Sequence, residues 1–163
     1  MTISDREAVD AAYRAGVGQP FDQLVDGKTD RLHGEPVRVR GRVKSLYDGR
    51  FVEPAMRHGG GRYWDMGFSA VIEVEGSTRD LPNLLLLTPK RVIPFSLHQL
   101  ISAGIYPERQ RILVVKGTVA PRAAYEPVAA RIIEVDSGGL TAVNPRRFDF
   151  IHVRSGLWGM STQ

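Results

Sequence analysis

The sequence predicts a mixed α/β (α+β) domain, with a sheet that has both parallel and antiparallel parts and carries short helices. Three observations predict it. Val37, Val39, Gly41 and Val43 alternate with Arg38, Arg40, Arg42 and Lys44, the period of a half-buried strand. Two capping boxes, Ser4 to Glu7 and Ser96 to Gln99, each open a short stretch with helical spacing. Finally, Arg111 to Asp136 sets an apolar run on either side of a helix-compatible segment, which most simply makes a right-handed βαβ unit. The 163 residues suit one domain spanning 1–163, and no repeat, low-complexity tract or linker divides them.

Taken in order, Ser4 is the expected N-cap of a helix over about 5–15, with Ala8, Val9, Ala11, Ala12 and Ala15 in phase and Gly16 as its stop. A short strand is expected at Phe21–Val25, between turns. Val37–Tyr47 is the clearest strand, apolar on one face and basic on the other. Asp48-Gly49 signals a type I′ hairpin returning through Arg50-Phe51-Val52. A loop follows from Glu53 to Trp64, centred on His58-Gly59-Gly60-Gly61-Arg62. Phe68, Ala70, Ile72 and Val74 form the buried side of another strand, and Leu84–Leu87 reads as a strand buried on both faces.

Phe95 and Leu100 fit a hydrophobic staple around a helix over about 97–103. In the βαβ stretch, Ile112–Val115 and Ile132–Val135 are the expected strands, the first buried on both faces. Pro121 suits the start of the helix between them. Asn144-Pro145 opens one helical turn, Phe148–Val153 reads as a last strand, and a short tail carries Trp158.

Composition narrows the chemistry. There are no cysteines, so disulfides, thiolate metal sites and Cys nucleophiles are excluded. No apolar run approaches a membrane span, and the N-terminal residues lack the pattern of a signal peptide, so the expected location is cytoplasmic with no membrane partner. The formal charge is +4 and the pI about 9.7. The basic stripe Arg38, Arg40, Arg42, Lys44 would suit phosphates. It also suits the wet face of a strand guarded by charge, and no nucleic-acid-binding motif accompanies it. The histidines, His33, His58, His98 and His152, show no metal-ligand spacing, and no serine sits in a nucleophile elbow. No catalytic residues are therefore assigned, and no metal or other cofactor is expected in this chain. The candidate site is instead the loop after the first βαβ strand. There Lys116, Thr118 and Arg122 would offer two charges and a hydroxyl to a carboxylate or phosphate, unless Arg122 pairs with Glu126 one turn on.

Several segments together resemble the C-terminal domain of the microcystinase C (MlrC) family of zinc metallopeptidases. They are Ala15-Gly16-Val17-Gly18, Asp26-Gly27-Lys28-Thr29-Asp30, Gly34-Glu35-Pro36-Val37, Asp48-Gly49-Arg50-Phe51, Asp65-Met66-Gly67-Phe68-Ser69-Ala70 and Arg111 to Asp136. The resemblance runs along nearly the whole chain. Where the family often reads Lys-Ser-x-x-His-Phe-Arg, this chain keeps Lys116 and Arg122 but has Ala120 and Pro121 for the His and Phe. It also has Gly138-Gly139 for a Pro-Gly. Any role of that His is accordingly not carried over.

The resemblance implies peptide hydrolysis, of the microcystin-degrading kind, in the full-length family. There the zinc sits in a larger N-terminal domain that this sequence does not contain. The chain is then expected to be an accessory, cleft-shaping domain, as a fragment or a stand-alone protein, and not catalytic on its own. Its expected partner is an MlrC-type N-terminal zinc domain or a separate polypeptide carrying one; self-association is also open. The alternative is a stand-alone anion- or nucleic-acid-binding module.

Overall fold

Val37–Tyr47 (β3) is the longest strand, and the sheet is built outward from it. A computed structural model of the chain describes residues 1–30, 34–55, 57, 59–137, 144–152 and 154. In it β3 runs antiparallel between Pro20–Val25 (β2) and Ser69–Val74 (β6). Leu84–Thr88 (β7) pairs antiparallel with β6, and Thr2–Ser4 (β1) closes that edge parallel to β7. The order is β1-β7-β6-β3-β2. The mixed sheet and short helices are those the sequence predicts, but the parallel pair comes from the first residues of the chain.

One face of the sheet is covered by α1, Arg6–Ala15. Its Ala8, Val9 and Ala12 pack with Phe21, Val25, Val43, Ala70, Ile72, Leu85 and Leu87. The N-cap is Asp5 rather than the expected Ser4, because the Ser4 backbone is drawn into β1 opposite Thr88. The Asp5 side chain is 4% exposed and accepts from Ala8 N–H, Asp26 N–H and the Lys28 ammonium, at 3.0, 3.0 and 3.3 Å. Lys28 also reaches Glu7 at 3.1 Å. Gly16 ends the helix at φ +89°, as expected of a C′ glycine.

The opposite face holds Val71 and Leu86, covered by Phe51, Met66, Phe95, Leu100, Ala103, Ile105, Ala124 and Tyr125. Phe95 and Leu100, the expected staple residues, are both buried in this cluster. The predicted box before α2 (His98–Ile101) forms reciprocally: Ser96 Oγ accepts from His98 N–H at 3.0 Å, and Gln99 Oε1 accepts from Ser96 N–H at 3.3 Å. A bulge between Val43 and Ser45 decides which β3 residues reach which face. Val43 lies opposite Ile72, and Leu46 opposite Ala70, both pairs on the α1 side. Tyr47 lies opposite Ser69 on the other side. Without the extra residue, Leu46 and Tyr47 would exchange faces.

Three local expectations are corrected. Asp48-Gly49 does not make a type I′ hairpin back onto β3. Instead Arg50–Val52 (β4) pairs with Tyr63–Asp65 (β5) in a separate two-stranded sheet, and Asp48 accepts from Arg50 N–H at 3.0 Å. Gly49 is needed for another reason: at φ +75°, a Cβ there would lie 1.9 Å from the Gly67 carbonyl oxygen. The second correction concerns the βαβ unit. Residues 111–136 contain no strand, only the single turn α3 (Arg122–Tyr125) and a 3-10 turn at Glu126–Val128. Apolar spacing is present there, but a strand also needs a hydrogen-bonding neighbour. Instead the segment crosses the covered face, where Leu113, Val115 and Ala120 rest on the packed side chains. Third, residues 148–152 form no strand either, and Val153 lies outside the described residues, as do His33, His58, Gly138, Gly139 and Trp158. The turn at Asn144-Pro145 does form, with Asn144 capping Arg146 N–H at 3.1 Å.

Three outcomes follow from this arrangement. Burial alone would raise the Asp5 carboxyl, but the Ala8 N–H, the Lys28 ammonium and the Asp26 N–H outweigh it and hold its pKa below the ordinary value. The stability it contributes is therefore present above about pH 4 and lost as pH falls through the lowered folded value. Asp5→Ala should cost about 1–3 kcal/mol in urea melts at pH 7 and flatten the acid limb of the stability profile. Gly49→Ala should cost at least about 2 kcal/mol in the same assay, since backbone must move. Arg40, whose side chain is 59% exposed, should tolerate replacement by Gln within about 0.5 kcal/mol.

Candidate functional site

The stretch around the candidate anion loop is anchored from beneath. Pro121, Ala124 and Tyr125 are buried. Tyr125 donates to the Ser96 carbonyl at 3.5 Å, and burial pushes its hydroxyl up to about 12. Gly117 runs so close to Pro121 and Pro94 that a Cβ would sit 3.0 Å and 3.5 Å from their ring carbons. The loop is thus pressed onto the domain on one side and open on the other.

Lys116, Thr118 and Arg122 are all on the open side. Lys116 and Thr118 make no hydrogen bond or ion pair with any described residue. The Arg122 guanidinium is held by the Glu134 carboxylate and approaches Glu126 at 4.0 Å. The Arg122 N–H is donated to the Val119 carbonyl at 3.1 Å, so the first amide of this single turn is already spent. The structure therefore leaves Lys116 and Thr118 available and ties Arg122 to local acids. Sequence spacing pointed to Glu126 as a partner of Arg122; Glu134, twelve positions away, has no such signal.

Ile112 and Val114 are 81% and 54% exposed, although the apolar run suggested burial on both faces. Leu113 and Val115 point inward between them. Beyond α3, Ile133 and Val135 are exposed as well. The apolar run itself was legible; which half of it lacks a cover is decided by the fold.

The basic stripe lies on the uncovered part of the same sheet face. Arg38 forks onto Asp22 at 2.7 and 2.9 Å, Arg40 reaches the same carboxylate at 3.5 Å, and Arg42 and Lys44 share Glu73. Asp22 is held below its usual range by the Arg38 hydrogen bonds, and Glu73 by that from Arg42. A shallow depression of about 520 Å³ beside Arg42, Lys44 and Arg79 opens to solvent. Cross-strand acids thus offset much of the stripe's charge.

No group of three or more His, Asp or Glu side chains that could hold a metal ion occurs among the described residues. Glu53 is 2% exposed; one oxygen accepts from Ala55 N–H at 3.0 Å and the other has no hydrogen-bond partner among the described residues. Nothing in the sequence marks that burial. No helix among the described residues is long and apolar enough to cross a membrane.

No curated protein matches the chain. Among solved structures, the chain is similar over its full length to the crystal structure of a "Putative metallopeptidase" from Mesorhizobium sp. BNC1, with TM-score 0.79 and 22% identity. It spans 31% of that chain, and at this identity the likeness establishes the fold. A family model described as MlrC C-terminus matches residues 1–152. On that match, which takes in both faces of the sheet and the whole candidate surface, the chain belongs to the MlrC C-terminus family.

Proposed function

We propose that this domain is an accessory part of an MlrC-type zinc metallopeptidase, packing beside a zinc-binding N-terminal domain and helping to shape its peptide cleft. The observation that carries the proposal is the open apolar surface of residues 112–135, with Ile112, Ile133 and Val135 each more than 70% exposed. Apolar surface of this kind, flanked by charge, is what a domain interface leaves when its other half is absent. Membership of a C-terminal family and the match to 31% of a longer metallopeptidase chain support the same reading.

In this reading the zinc, and with it the polarisation of the peptide carbonyl, belongs to the partner domain. The contribution of this chain is binding and shape. Lys116 and Thr118, exposed and without a hydrogen bond or ion pair to any described residue, would meet a carboxylate of the partner or of the peptide, with Arg122 joining by exchange from Glu134.

Co-expression with an MlrC-type zinc domain tests this. The expected result is a stable complex that hydrolyses peptides. Ile133→Asp should weaken the complex at least about tenfold without unfolding this domain, and Lys116→Glu should weaken it less and in a salt-dependent way. Tight zinc and peptidase activity in the isolated 163-residue chain would overturn the proposal. A zinc domain equally active with and without this chain would do so too.

A further inference from the structure

Within the docking surface, residues 112–115 have the form of a strand with no neighbour. Their exposure alternates: Leu113 and Val115 pack inward and Ile112 and Val114 point out, the pattern of an extended chain. No backbone N–H or C=O from residue 112 to residue 118 hydrogen-bonds to any described residue. Three of the four side chains at 112–115 are β-branched.

Folded proteins seldom leave such an edge bare, because it is a template for another chain. They guard it with charge, proline or a covering element. Here Arg111 and Lys116 flank the run, and nothing interrupts it. The side chains beneath already fix the backbone, so a partner strand would meet a preformed edge rather than order a loose one.

We propose that residues 112–115 take up an extended strand of the zinc-domain partner by main-chain pairing, so that the two domains share a sheet at this point. The inference rests on the accessory-domain reading above and adds the mode of contact. The match to 31% of a longer metallopeptidase chain indicates what the rest of such a protein would supply. The cations at Arg111 and Lys116 fit a strand with acidic residues at its ends. Ile112 and Val114 would then be covered by side chains of that strand.

Successive amides of a strand point to opposite edges, so a strand added on one side protects alternate N–H groups. This permits a test on the full 163-residue chain co-expressed with an MlrC-type zinc domain. In the complex, alternate amides within 112–116 should exchange with solvent at least about 100-fold more slowly than in the isolated chain. Of Val114→Pro and Val115→Pro, one should weaken the complex at least about tenfold more than the other. Neither removes a backbone hydrogen bond to any described residue of the isolated domain.

A complex that forms with 112–116 exchanging as in the isolated chain overturns strand addition and leaves docking intact. No complex at all overturns docking and the strand together. Protection that appears in the isolated chain and rises with its concentration assigns the edge to a second copy and overturns the partner named here.

Discussion

The rest of the structure depends on burying β6 and β7 on both faces. Ala70, Ile72, Leu85 and Leu87 look one way, and Val71 and Leu86 the other. Two adjacent strands with no wet side cannot form the middle of a one-layered sheet, so both faces need a cover. Burial of such side chains is worth about 1.5–3 kcal/mol each, which is more than any one surface ion pair in the domain would supply. Helix α1 covers one face. The other is covered by an irregular assembly running from Phe51 through Tyr125, in which Phe95 and Trp64 meet at 4.7 Å.

That asymmetry has consequences. A helix satisfies its own backbone while presenting an apolar stripe, and α1 needs only Asp5 to anchor its start. The irregular cover has no such economy. Its single turns and extended runs bury alternate side chains and leave the others, with much of their backbone, facing outward. Residues 112–115 are the clearest case: the same segment that completes one core exposes Ile112 and Val114. The surface proposed for partner binding is thus a by-product of how the second face is closed, and the candidate cations Lys116 and Thr118's hydroxyl sit at its margin.

The wet remainder of that face shows the opposite solution. Where that cover ends, Asp22 on β2 and Glu73 on β6 stand across from Arg38, Arg40, Arg42 and Lys44 on β3, so this part of the sheet face is finished by paired charge. Such exposed pairs add little stability singly. They face water on a strand whose two backbone edges are already taken by β2 and β6. The run at 112–115, whose backbone has no hydrogen-bonding partner among the described residues, lies in the same domain.

Much local chemistry was legible where a residue's partner is near in the chain, though the α1 cap fell one residue on, at Asp5. The alternation of β3, the box at Ser96 and Gln99, the stop at Gly16 and the cap at Asn144 are all settled by neighbours within a few positions. The basic face of β3 was visible for the same reason, as was Glu126 as a partner of Arg122. Pairing between distant strands was not. The parallel partner of β7 is the first three strand residues, too short to show a period. Arg50–Val52 left the expected hairpin because a second, later strand offers it a better neighbour. The βαβ reading of 111–136 correctly found apolar runs but took them for paired strands, since apolar spacing records which side chains seek burial and not whether another backbone lies alongside. By itself, then, the sequence determined a mixed sheet, the capping box at Ser96 and Gln99, and its charged face. Only the tertiary structure decided which edges are paired, that Ile112 and Val114 stay in solvent, and that Arg122 is held by Glu134, because each depends on which distant backbone or side chain lies alongside.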